Sequence, residues 1–215
     1  MRESFRPPSA RLSVRLPWAK ARRVPPSRSE PLILASSSIY RQGLLNSIGI
    51  PFVAIPSPYV EDNAQDLAPS LLVEEQGLGK ALTVAVHHPR RLVLGADTLV
   101  ICEGQVMGKP RDNDDARAML RRLQGCWHEV YTGMALVQGQ DIGVYHEVTK
   151  VRMCPLTEAE INWYVNTGEP VGKAGAYGTD ELGAVLIQEI RGCTSNVVGL
   201  PLPLLFRELK ARGWY

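Results

Sequence analysis

Five short windows of the chain hold residue types that can act together on a polyanion. Ser36, Ser37 and Ser38 follow the apolar run Leu32-Ile33-Leu34-Ala35 and precede Ile39-Tyr40-Arg41, where a helix-spaced apolar pattern opens with Leu44, Leu45 and Ile48. A buried strand emptying into a serine-rich helix start sets hydroxyls and unpaired backbone N–H groups at the positive end of a helix dipole, a natural place for phosphate. Ser38 is placed to cap that helix, and Arg41, three residues on, can turn guanidinium donors toward the same anion. Asp97 lies in Gly95-Ala96-Asp97-Thr98, Lys109 in Gly108-Lys109-Pro110, Lys80 in Gly77-Leu78-Gly79-Lys80-Ala81, and Glu61 in a polar stretch after Pro56 and Pro58. Cleavage of a phosphate ester or phosphoanhydride needs cations to neutralise phosphate oxygens, carboxylates to hold a divalent metal, and one carboxylate to prepare water. Taken singly, these residues read as a helix cap, a turn aspartate and solvated lysines. Their joint occurrence is what points to phosphate chemistry.

Other chemistries lack their patterns. The Gly77 to Ala81 run is not a P-loop, because Glu74 stands where the first glycine belongs, Ala81 replaces the metal-binding hydroxyl, and the segment reads as helix interior. No G-x-S-x-G elbow occurs, and Cys102, Cys126, Cys154 and Cys193 lie far apart with no C-x-x-C spacing, which argues against a zinc site or a disulfide framework. His128 reads as a hydrogen-bonded structural histidine on a strand.

The elements that must position these residues alternate at first. Leu32 to Ala35 reads as strand, the segment after Ser38 as helix, and Pro51 to Ile55 as a second short strand ended by Pro56 and Pro58. A helix is expected from Pro69 to Val86, although Gly77 and Gly79 weaken its pattern. Leu92-Val93-Leu94 and Leu99-Val100-Ile101 read as strands interrupted by Gly95 to Thr98, placing Asp97 at or beside a strand bend. Asp112 or Asn113 can cap a helix that Gly125 stops, and strand alternation then dominates from Trp127 to Met153. Thr157 and Glu160 form a capping-box pattern, Gly172 to Gly178 reads as a close-approach loop, Ala184 to Ile190 as strand, and Leu202 to Ala211 as the final helix. The fold class is therefore α/β or α+β with a mixed sheet, rather than a purely parallel doubly wound one.

Charge is unevenly spread. Residues 1–30 hold eight of the 24 basic residues and two of the 22 acidic ones, leaving 16 against 20 in residues 31–215. The body is thus acidic, which argues against a nucleic-acid-binding domain, and any steering of an anionic substrate must come from a local cluster. The first 30 residues, rich in Arg, Pro and Ser, are expected to be a disordered extension, and residues 31–215 one domain. No apolar stretch reaches the roughly 18 residues of a membrane span, and the cysteine usage suits a reducing, cytoplasmic setting.

In order, Leu34-Ala35-Ser36-Ser37-Ser38-Ile39-Tyr40-Arg41, Leu94-Gly95-Ala96-Asp97-Thr98, Gly108-Lys109-Pro110, His128-Glu129-Val130-Tyr131-Thr132-Gly133, Ala174-Gly175-Ala176-Tyr177-Gly178 and Val198-Gly199-Leu200-Pro201-Leu202 resemble the Maf family of nucleoside triphosphate pyrophosphatases. The resemblance implies a two-lobed mixed α/β fold with a central cleft, similar to inosine triphosphatases. It also implies hydrolysis of a nucleoside triphosphate between the α and β phosphates with Mg²⁺ or Mn²⁺, a homodimer, and a part in nucleotide-pool sanitation or cell-division arrest. By the same resemblance Asp97 is the proton acceptor, Glu61 assists with metal or water, and Ser36, Ser38, Arg41, Lys80 and Lys109 contact the triphosphate. Glu61 and Asp97 are the implied metal carboxylates.

Two positions depart from the family pattern. Many members carry consecutive arginines where this chain has Tyr40-Arg41, and an aromatic residue there resembles the branch acting on 7-methyl-GTP. The Asp97 and Tyr177 windows instead resemble the branch acting on dTTP and UTP, but that branch continues Tyr-Gly with Ile-Gln, where this chain has Thr179-Asp180. An ionised Asp180 accepts hydrogen bonds without donating, which suits the adjacent donors of a guanine edge. Tyr40 and Asp180 are thus the base-selectivity candidates, with the base left between the two types. A non-catalytic nucleotide-sensing or cell-division protein on the same scaffold, and a phosphatase releasing orthophosphate, are the competing readings.

Overall fold

The computed structural model describes residues 30–63 and 67–214. The expected extension of residues 1–30 lies outside them, apart from Glu30. Among the described residues no helix is long and apolar enough to cross a membrane.

Strand β1 (Leu32–Leu34) is wholly buried and pairs in parallel with both β2 (Phe52–Ala54) and β3 (Val93–Cys102). Burial on both faces explains its unbroken apolar run. The sheet continues antiparallel through β5 (Trp127–Gln138), β6 (Asp141–Met153) and β7 (Ile187–Arg191), while β4 (Gln105–Met107) folds back on β3. Among the described residues six α-helices accompany the sheet: α1 (Ile39–Ser47), α2 (Pro69–Ala85), α3 (Asn113–Leu123), α4 (Glu158–Asn166), α5 (Thr194–Val198) and α6 (Leu202–Ala211). The expected mixed sheet is present. Ser38 caps α1, Asp112 caps α3, and Thr157 with Glu160 forms the capping box of α4.

Strands β3 and β5 run through two separate cores. Leu94, Ala96, Met134 and Leu136 pack with Leu32, Leu45, Leu205 and Trp214 beneath α1 and α6. Further along the same strands, Val100, Cys102 and Val130 pack with Leu120, Leu123, Tyr164 and Val165 of α3 and α4. Asp97 and Thr98 fall at the changeover, where the cleft between the lobes opens.

Two expected elements differ. No bend interrupts β3, because every residue from Val93 to Ile101 is matched with β5, from Val93 opposite Val137 to Ile101 opposite Glu129. Asp97 sits mid-strand, and long-range pairing overrides the poor strand preference of Gly95 and Asp97. The expected strand from Ala184 forms only at Ile187–Arg191; Leu182–Leu186 makes a 3-10 turn, started where the Glu169 carboxylate accepts the N–H groups of Leu182 and Gly183. Strand β4 and helix α5 were not anticipated from the sequence.

Helix α2 lies backbone against backbone on β3 and β5. A Cβ at Gly95 would overlap the Gly77 carbonyl and the Ala81 nitrogen, one at Gly133 would overlap the Val73 carbonyl, and one at Gly77 would stand 3.2 Å from the Gly133 carbonyl oxygen. These glycines set the height of the helix above the sheet. Gly133→Ala is expected to destabilise the protein by about 1–3 kcal/mol, because the obstructing atoms are main chain and cannot step aside. Gly43→Ala, exposed on α1 with open space around it, is expected to stabilise by up to ~1 kcal/mol. Urea unfolding of the two variants checks the opposite signs.

Candidate active site

The centre of the site is one ammonium between two carboxylates. Lys80 Nζ donates to Glu61 Oε1 at 2.6 Å and to Asp97 Oδ1 at 2.5 Å. The Lys80 and Asp97 side chains are 10% and 6% exposed, and Glu61, at 34%, closes the solvent side. An ion pair this buried demands fixed geometry, since removing one partner leaves an uncompensated charge at a typical cost of about 3–5 kcal/mol. Burial pushes the Glu61 carboxyl up, but the Lys80 hydrogen bond and the charges of Lys80, Lys109 and Arg41 outweigh it, so the group lies below the usual carboxylate range. Asp97 Oδ2 is buried and has no hydrogen-bond partner. Asp97 lines the cleft, and a carboxylate oxygen without a partner there can accept a proton or a cation.

The opposite wall is the β1–α1 junction. Ser38 N donates to Ser36 Oγ at 3.1 Å, and Ser38 Oγ accepts from Arg41 N at 3.3 Å, so Ser38 serves as the helix cap. The N–H groups of Ile39 and Tyr40, in the first turn, lack an intrahelical partner by construction and point toward an anion. Arg41, expected to turn donors toward an anion, also holds three protein partners. Its Nε donates to the Gly199 carbonyl at 2.8 Å, one terminal nitrogen to Thr98 Oγ1 at 3.1 Å, and the other to Ser36 Oγ at 3.4 Å. Of five guanidinium N–H donors, these bonds engage three, and two remain for a ligand. Burial lowers the Arg41 pKa while the charges of Asp97 and Glu61 oppose that shift.

The cleft encloses about 670 Å³ and is lined by all of the sequence candidates: Ser36, Ser38, Tyr40, Arg41, Glu61, Lys80, Asp97, Lys109 and Asp180. Lys109 and Asp180 stand exposed at its rim. At the far end Lys173, 6% exposed at its side chain, donates to Glu169 Oε1 at 3.0 Å and Glu181 Oε2 at 2.7 Å and lies 4.8 Å from the centre of the Tyr40 ring. Burial lowers the Lys173 pKa, but its two carboxylate partners raise it further, for a net upward shift. Beneath this end, Tyr177 shares a 2.6 Å hydrogen bond with His128 Nε2. His128 is 2% exposed, the structural role expected for it.

Lys173 and Tyr59 also line the cleft and were missed as site residues. Lys173 carried a weak signal, a lysine inside the glycine-rich stretch read as a close-approach loop. Tyr59 carried none of its own; its signal is Gly79, an unfavourable residue within helix α2.

Divalent-metal binding can be judged from the donor set. Among the described residues no group of three or more His, Cys, Asp or Glu side chains gathers as for a protein-only metal site. Two carboxylates with one orphaned oxygen do fit Mg²⁺ or Mn²⁺ bound jointly with substrate phosphates, the mode in which such ions keep much of their water.

A family model described as "Maf-like protein" matches residues 31–212. A "dTTP/UTP pyrophosphatase" of Symbiobacterium thermophilum is 52% identical over 184 residues, covering 85% of this chain and 94% of the relative. Another of that description, from Gloeobacter violaceus, is 48% identical over 81% of this chain and 92% of its own. Among solved structures, the Ham1 protein of Staphylococcus aureus matches with a TM-score of 0.51 at 11% identity, over 85% of this chain and all of that one, a likeness of fold.

The buried histidine gives the site's surroundings a pH limit. Burial pushes His128 down from 6.5 to about 4. Between these values the unfolded chain binds a proton that the folded chain does not, so stability is full above pH 6.5 and falls toward pH 4 by roughly 3 kcal/mol. His128→Gln, which cannot titrate, is expected to remove that part of the slope, whatever its absolute stability. Denaturant unfolding at pH 7, 5.5 and 4.5 measures the difference between the two slopes.

Proposed function

Given that the chain belongs to the Maf-like protein family, we propose that it is a nucleoside triphosphate pyrophosphatase acting on dTTP and UTP, splitting the α–β phosphoanhydride to monophosphate and pyrophosphate. The observation that carries the reading is the Lys80 ammonium clamped between Glu61 and Asp97, with Asp97 Oδ2 buried and unpartnered in the cleft that the serine–arginine wall also lines. A phosphatase without these opposed walls would have no reason to bury a lysine between two carboxylates.

The chain's own residues divide the work. Ser36, the α1 start and the two remaining Arg41 donors bind phosphate oxygens, and Lys109 adds charge from the rim. Asp97 Oδ2 takes a proton from a water whose oxygen attacks the α phosphorus. The bond from that phosphorus to the bridging oxygen breaks, and pyrophosphate leaves with the electron pair. Lys80 holds Asp97 in place and offsets charge accumulating on the leaving group. Glu61 and Asp97 would hold Mg²⁺ or Mn²⁺, which supplies Lewis-acid charge neutralisation when bound.

Two observations support the pyrimidine reading over 7-methyl-GTP. The relatives above are described as dTTP/UTP pyrophosphatases, and the Lys173 ammonium, 4.8 Å from the ring centre, takes one face of Tyr40, the residue on which the 7-methyl-GTP resemblance rests. Asp180 can accept the single ring N–H of uracil or thymine as well as the donors of guanine.

On a nucleotide panel with Mg²⁺ or Mn²⁺, pyrophosphate and monophosphate from dTTP and UTP are expected. Orthophosphate instead would make the protein a phosphatase, and no turnover would leave a nucleotide-sensing scaffold. Asp97→Asn is expected to lower turnover at least about 10²-fold, the scale of a lost general base, with nucleotide binding retained by calorimetry. Full activity would remove Asp97 from the chemistry.

Base reading has its own measurement. Asp180→Gln is expected to raise the ratio of kcat/KM for UTP to that for 7-methyl-GTP, because an amide adds a donor for a pyrimidine carbonyl. An unchanged ratio removes Asp180 from base selection.

A further inference from the structure

Gly79 lies in the interior of α2, where a glycine is a poor choice, and neither the helix nor the proposed chemistry accounts for it. The preceding segment does. Residues 57–63, which form no regular element, pass along α2, and alternate side chains meet one helix face. Ser57 Oγ and Thr83 Oγ1 share a 2.7 Å hydrogen bond, the Tyr59 ring covers Gly79, Glu61 accepts from Lys80, and Asn63 Oδ1 accepts from Gln76 Nε2 at 2.8 Å. Residues 57, 59, 61 and 63 thus all turn to the side that faces the helix. Helix positions 76, 79, 80 and 83 share one face. A Cβ at Gly79 would overlap the Tyr59 ring at Cε2, Cδ2 and Cζ.

The strap is further tied to the turn that carries the ammonium. Thr83 Oγ1 donates to the Lys80 carbonyl at 3.0 Å, and Ser57 Oγ accepts from Tyr59 N at 3.1 Å. Glu61 therefore depends on its own strap for its place. On either side of it, Tyr59 and Asn63 pin that strap down.

We propose that Tyr59 and Gly79 form a positioning pair: the ring seated on the bare helix backbone holds the 57–63 strap in register, and so holds the Glu61 carboxylate against Lys80. Tyr59 acts through Glu61 rather than on the substrate. The turnover arm of the test rests on the pyrophosphatase reading, but the exchange arm does not.

Gly79→Ala and Tyr59→Ala are made singly and together, in the wild-type and Glu61→Gln backgrounds. Amide hydrogen exchange of residues 57–63, kcat and KM for dTTP, and Tm are recorded. Gly79→Ala exchanges a poor helix former for the best one, so helix preference alone predicts an equal or higher Tm with strap and turnover untouched. The positioning pair predicts an equal or higher Tm together with at least tenfold faster exchange at 57–63. It also predicts a kcat at least tenfold lower, with KM changed less than threefold. It further predicts no added loss in the Tyr59→Ala double variant or in the Glu61→Gln background.

Unchanged exchange at 57–63 in Gly79→Ala overturns the proposal, as does a kcat loss of the same factor in the Glu61→Gln background. A wild type that releases no pyrophosphate overturns the function proposed above, while the exchange arm still decides whether the ring holds the strap.

Discussion

The contact of α2 with the sheet, main chain on main chain, is what the site depends on. An ammonium placed between two carboxylates in a nearly buried position is favourable only when its geometry is tight, because desolvation of three charged groups opposes it. That tightness originates in Gly77, Gly95 and Gly133, where any side chain would lift the helix from β3 and β5. With the helix seated, Lys80 reaches Asp97 on the central strand at 2.5 Å. Glycine in a helix interior carries a propensity penalty of about 1 kcal/mol. Here the penalty secures a separation between helix and strands that no other residue permits.

Arg41 shows how the second wall is fixed. Its guanidinium joins the end of β1 at Ser36, the middle of β3 at Thr98 and the turn after α5 at Gly199. A fork-shaped donor suits that task, since its geometry is rigid and its charge permanent. Thr98 in turn shares a 3.0 Å hydrogen bond with Thr132, which donates to the Asn196 carbonyl, so the wall is braced through β5 to α5. The arginine is thus the brace that aims Ser36. Asp97 and Thr98, adjacent on β3, connect the two walls through the backbone of a single strand.

The parts of the site governed by local sequence were legible. The strand–serine–helix junction, the Ser38 cap, the α4 capping box and the long α2 from Pro69 follow from residues within one or two turns of one another. What could not be read is decided across the chain. The continuity of β3 through Gly95 and Asp97 comes from pairing with β5, some 35 residues on. The partners of Arg41 lie as far away as Gly199. Gly77 and Gly79 counted against a helix in the sequence, and the structure gives the reason: each is a contact point whose other half, Gly133 or Tyr59, belongs to a different element.

The departure at Tyr40 is consistent with its new surroundings. The Lys173 ammonium lies 4.8 Å from the ring centre, within the range in which a cation is attracted by the negative face of an aromatic ring. An arginine at the same position would set two cations against each other at the edge of a buried network. Glu169 leaves little room to adjust, since it already accepts from Lys173, Tyr164 and the N–H groups of Leu182 and Gly183. Lys173 cannot retreat without taking its ammonium away from Glu169 and Glu181, and an aromatic ring lies beside it without adding charge. The Tyr40–Lys173 pair thus forms part of the wall of the cleft that Asp180 also lines.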